Sequence, residues 1–64
     1  MTCLEVKETV KNEIERMNKS TTGCATNRLY RMGKVNGMLK AFEIAGVISY
    51  IEWVAIFDQL EELI

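Results

Sequence analysis

Apolar positions near the start of the chain recur every three or four places, at Cys3, Val6, Val10, Ile14 and Met17. That spacing lines one narrow face of a helix and leaves the rest to Glu, Lys, Asn and Thr. Thr2 and Glu5 stand in the capping-box relation, in which a hydroxyl and a carboxylate satisfy the first free amides. A helix is therefore predicted over about residues 3–19. Ser20-Thr21-Thr22-Gly23 then breaks the pattern with the small polar residues that close one helix and cap the next. A second helix is predicted over about 24–45, with Ala25, Leu29, Met32 and Leu39 on one face and Asn36 in its middle. Gly46 is the residue type that ends a helix in a left-handed turn. Ser49 and Glu52 form a second capping box, with Ile48 and Trp53 placed for a hydrophobic staple around it. A third helix is predicted over about 50–63. Its apolar residues Tyr50, Trp53, Val54, Ile56, Phe57, Leu60, Leu63 and Ile64 cover about half a circumference at 100° per residue.

The expected fold is all-α: one domain over 1–64, a three-helix hairpin or bundle completed by homo-oligomerisation. The oligomer follows from size and from surplus apolar surface. A chain this short buries only about 60% of its unfolded surface, and small folds generally need a disulfide, a metal or association. With two cysteines and no histidine, a zinc site would have to combine thiolates with carboxylates, an uncommon set. No metal and no cofactor are expected. The half-cylinder on the third helix is more than two short neighbours need, so Trp53, Phe57 and Leu60 are expected at contacts between copies. Gly33, Gly37, Ala41 and Ala45 recur at four-residue spacing beside the Leu29–Leu39 face. Each interior glycine costs about 1 kcal/mol against alanine, and their regularity suggests close approach of another helix. That helix belongs either to the same hairpin or to a copy across a two-fold axis. Asn36 reads as a register-setting polar residue on an apolar face.

Charge changes the picture because it is segregated. The net charge is −1, yet residues 16–42 hold Arg16, Lys19, Arg28, Arg31, Lys34 and Lys40 with no acid. Residues 43–64 hold Glu43, Glu52, Asp58, Glu61 and Glu62 with no base. Such asymmetry bears on partners and association rather than on fold. There is no basic leader followed by an apolar run, and no apolar stretch approaches the roughly 20 residues that span a membrane. A soluble cytoplasmic protein with reduced, inert Cys3 and Cys24 is expected.

The stretch from Met38 to Trp53, with Gly46, Ile48, Ser49, Glu52 and Trp53 at its signature positions, resembles a helix–Gly–Val/Ile–Ile–Ser/Thr–x–x–Glu–aromatic hairpin. Bacterial short C-terminal (SHOCT-type) domains and small phage-encoded helical proteins carry that hairpin. The resemblance covers about a third of the chain. It implies a helical hairpin and a mobile-element origin, and it brings no catalytic or binding residue.

Without histidine, a Ser-His or Cys-His nucleophile pair cannot be built, and no Gly-rich loop followed by Lys-Ser/Thr is present. No enzyme is expected. The best candidate chemistry is cationic. Asn27, Tyr30, Arg31 and Lys34 fall within about 100° of one another on the second helix, flanked by Arg28. Two guanidiniums, an ammonium, an amide and a phenol suit a phosphate with an attached sugar or base; the bland reading is a solvated face. Thr21 and Thr22 precede a helix whose first turn carries no acid, which favours an anion there or simple capping by Thr22.

Three functions follow as expectations. The first is a homo-oligomeric binding protein that sequesters a phosphate-bearing ligand such as a signalling nucleotide, in the manner of a phage counter-defence sponge. The second is a protein-interaction module or inhibitor that meets a host protein partner through the apolar face of the third helix. The third is a nucleic-acid-binding accessory, disfavoured by a pI near 5.3 and an acidic C-terminal third. No membrane partner is expected.

Overall fold

The computed structural model describes residues 1–20 and 27–64, which form three helices and no strand. Helix α1 spans Cys3–Lys19, α2 Arg28–Ile44 and α3 Tyr50–Leu60, and a 3-10 turn over Glu61–Leu63 extends α3. The all-α, three-helix expectation is met.

Local chemistry sets most of the boundaries. Thr2 accepts from the Glu5 amide at 3.2 Å while Glu5 accepts from the Thr2 amide at 2.8 Å, so the first capping box is complete. Ser49 and Glu52 repeat the arrangement at 3.2 and 2.8 Å. Between α2 and α3 the chain turns through Gly46 at φ +77°. The Val47 amide donates back to Phe42 at 3.0 Å and the Gly46 amide to Glu43 at 2.9 Å. This paired return of amides onto the last turn is the Schellman ending, which needs the left-handed conformation that glycine adopts without a Cβ penalty. Val47 and Phe42 both pack on the core. Ile48 is buried and Trp53 half-buried on either side of the Ser49 box, the placement of a staple.

The start of α2 departs from expectation. Asn27 is extended (φ −85°, ψ 121°), and its Oδ1 accepts from the amides of Leu29 at 2.8 Å and Tyr30 at 3.4 Å. A helix cannot run through an extended residue, so α2 begins at Arg28 rather than near Cys24. Asparagine is among the best residues for this end. The expected cap around Thr21, Thr22 and Gly23 lies outside the described residues.

The core joins all three helices. Val6, Val10, Ile14 and Met17 from α1 meet Val35 and Leu39 from α2, Ile48 from the corner, Ile56 and Leu60 from α3, and Ile64 beyond it. No charged or polar residue is buried among the described residues. The inward face of α2 is rotated from the expected one. Val35 and Leu39 are buried, with Met32, Met38 and Phe42 packed beside them, while Leu29 is exposed. Asn36 is only half-buried, so it sits at the edge of the packed face rather than in its middle. Polar ties close the far end: Asn18 Nδ2 donates to the Leu63 carbonyl at 2.7 Å and Arg31 Nη2 to the Ile64 carbonyl at 2.8 Å. Among the described residues, no helix is long and apolar enough to cross a membrane.

Candidate functional site

α1 and α2 run side by side, so the C-terminal half of α1 lies against the N-terminal half of α2. This brings Arg16 and Glu13 of α1 near Tyr30 and Lys34 of α2. Arg16 Nε donates to Glu13 Oε2 at 2.9 Å, and its Nη2 donates to Glu13 Oε1. The Arg16 hydrogen bond holds the Glu13 carboxyl below the usual range, and the positive charges of Arg16 and Lys34 add to the effect. The basic side of α2 therefore has an anionic neighbour that its own sequence does not show.

The five candidates on α2 do not form one cluster. Tyr30 and Lys34 are solvent-facing, and so is Asn27, but the Asn27 carbonyl oxygen already occupies the first amides of the helix. Arg31 is half-buried, with its guanidinium turned to Ile64, which ties the tail of α3 to α2. Arg28 Nη1 lies 3.2 Å from Met32 Sδ along its own helix. Thr21 and Thr22 lie outside the described residues. No pocket forms among the described residues, and no three of their His, Cys, Asp or Glu side chains gather to hold a metal ion.

The outward surface of α2 is a stronger feature. Leu29 and Ile44 are 78% and 75% exposed. Between them lie Gly33, Gly37 and Ala41, all exposed, and a Cβ added at either glycine would meet nothing within 4 Å among the described residues. Among the described residues the small-residue stripe thus faces away from α1 and α3, so close approach within the hairpin does not account for it. Valine and leucine at 35 and 39 have side chains to bury and glycine has none, so the bulky ridge turns inward.

α3 is divided in the same way. Leu60 is buried in the chain's own core, and Trp53 and Phe57 are half-buried against it. These three were expected at contacts between copies, yet they are largely consumed within one chain. Lys40 Nζ sits 5.4 Å from the Trp53 ring centroid, and Tyr50 meets that ring edge-on at 5.4 Å. The surplus apolar surface is instead Tyr50, Ile51 and Val54, of which Ile51 is 78% and Tyr50 63% exposed. Ile44 and Ile51 escaped the sequence reading. Their positions opposite the inward residues at helical spacing were the available signal. Burial holds the Cys3 thiol above its ordinary pKa, and a hydrogen bond to Glu52 and that carboxylate's charge add to the effect. This keeps it protonated and weakly nucleophilic at neutral pH; Cys24 lies outside the described residues.

Comparison with protein-family models, with curated proteins and with solved structures finds no match.

Proposed function

We propose that this protein is a small non-enzymatic binding protein of the cytoplasm that works as a homo-oligomer. The observation that carries the reading is the outward face of α2 and α3, where Leu29, Ile44, Tyr50 and Ile51 stand exposed. Scattered exposed apolar residues are ordinary, but large ones in rows along two helix faces mark contact surfaces. A chain of 64 residues without histidine has little means for acid–base or nucleophilic chemistry and good reason to associate. Light scattering after size-exclusion chromatography at micromolar concentration tests this directly. A mass of two or more times 7.3 kDa supports the reading, and a strict monomer up to millimolar concentration overturns it.

A second reading, that the assembly captures a phosphate-bearing ligand, rests on Tyr30 and Lys34 of α2 standing near the Glu13–Arg16 pair of α1. The cations from two helices and a phenol suit a nucleotide phosphate and base, and copies brought together would multiply such sites. It keeps the sponge and counter-defence roles in view. At a ligand concentration a hundredfold above Kd, binding adds about 2.7 kcal/mol of stability. A panel of linear and cyclic nucleotides that leaves the melting temperature unchanged removes this reading.

A further inference from the structure

We propose that the outward face of α2 binds the outward face of α3 on a second copy of this chain. This rests on the homo-oligomer reading and names the surfaces that join. The two faces are unlike, and they fit each other better than either fits itself. On α2, the exposed row Leu29, Gly33, Gly37, Ala41 and Ile44 is flanked by Lys34 and Lys40. The acid of that helix, Glu43, is half-buried and paired with Lys40 at 3.5 Å. On α3, exposed Tyr50, Ile51, Val54 and Ala55 lead into exposed Asp58, Glu61 and Glu62, and residues 50–64 contain no base. An α2–α2 contact would oppose lysine to lysine and an α3–α3 contact acid to acid, and like charges at a contact select against it.

Shape points the same way. Set antiparallel, with Ile44 against Ile51 of the second copy, the α3 row brings Val54 opposite Ala41 and the Asp58–Glu62 acids opposite Gly37 to Gly33. Lys34 then lies beside the acids. Beyond the Ile44–Ile51 pair, larger side chains meet Ala41, Gly37 and Gly33, and the open space over the two glycines admits the neighbouring helix. A stable contact takes about 800 Å² from each partner. Against 4147 Å² of accessible surface that is about one fifth, an area on the scale of two helix faces.

Charge reversal on each face separates this contact from α2 on α2 and from α3 on α3. One variant carries K34E and K40E, the other D58K and E62K; circular dichroism melts check that each folds. Lys40 also contacts Trp53, so K34E alone serves where the double variant unfolds. Each variant by itself should associate at least tenfold more weakly than the parent chain. Mixed in equal amounts, the two should recover parental association as a mixed oligomer, because each acidic α2 then meets a basic α3. If only one of the two variants loses association, the two faces do not meet each other and the proposal falls. If both variants associate as the parent does, the copies meet α2 on α2, α3 on α3 or elsewhere, and this proposal alone is overturned. A parent chain that never associates overturns both this proposal and the reading it rests on.

Discussion

α1 and α2 are each 17 residues long, yet α1 buries four residues in one stripe and α2 buries only Val35 and Leu39. Outside its stripe, α1 is almost wholly charged or polar, with Leu4 the exposed apolar exception near its start. α2 has apolar or small residues on both sides. A helix with one apolar face has one way to sit on a core, so its orientation is written into its periodicity. When both faces are apolar, orientation is settled by which face has volume to pack. In α2 that is the ridge of Met32, Val35, Leu39 and Phe42, with the glycine side left to solvent.

The largest effects should fall on the inward residues of both helices. Ile14→Ala and Leu39→Ala each remove a fully buried side chain and are expected to cost about 2–5 kcal/mol, read from urea unfolding at fixed protein concentration. Leu29→Ser should cost less than about 0.5 kcal/mol in the dilute chain. Equal losses at positions 29 and 39 would break the distinction between the faces. Next in size are the caps. Asn27→Ala and Ser49→Ala should each cost about 1 kcal/mol in thermal melts, whereas a helix starting well before Arg28 would leave Asn27→Ala nearly silent. Smaller still, and of opposite sign, Gly33→Ala or Gly37→Ala in the dilute chain should raise stability by about 0.4–1 kcal/mol, since an added methyl meets open space.

The smallest effect is acid sensitivity. Hydrogen bonds from the Thr2 amide and hydroxyl hold the Glu5 carboxyl below its ordinary pKa. The Ser49 amide, with Cys3 and the Ser49 hydroxyl, does the same for Glu52. A carboxylate lowered on folding contributes stability that is fully present above its unfolded value, about 4.3 for glutamate, and is lost as pH falls through the lower folded value. The melting temperature should therefore fall as pH is taken from about 5 to below 4. Replacing both glutamates by glutamine should flatten that slope.

Most of the helical skeleton was legible because short-range chemistry fixes it. Thr2 with Glu5 and Ser49 with Glu52 announce helix starts from three residues apart, Gly46 announces a helix end, and the structure keeps each one. The start of α2 was obscured because Cys24 and Ala25 continue an apolar rhythm, while the Asn27 cap is a single residue. The candidate site was less legible. Glu13 and Arg16 belong to another helix, and no periodicity on α2 announces an acid docked beside its lysine. Arg31 was read as facing outward because helical angle alone does not reveal the Ile64 carbonyl that draws it in.

The corner between α2 and α3 has a kinetic consequence. The Gly46 turn, the Phe42–Val47 return and the Ser49–Glu52 box all join residues no more than five apart in sequence. Closing so short a segment costs little chain entropy and proceeds quickly. The corner therefore suits the role of a seed. α2 and α3 can meet while α1 is still unattached, and the stripe of Val6, Val10, Ile14 and Met17 then closes over a hairpin that is already in shape.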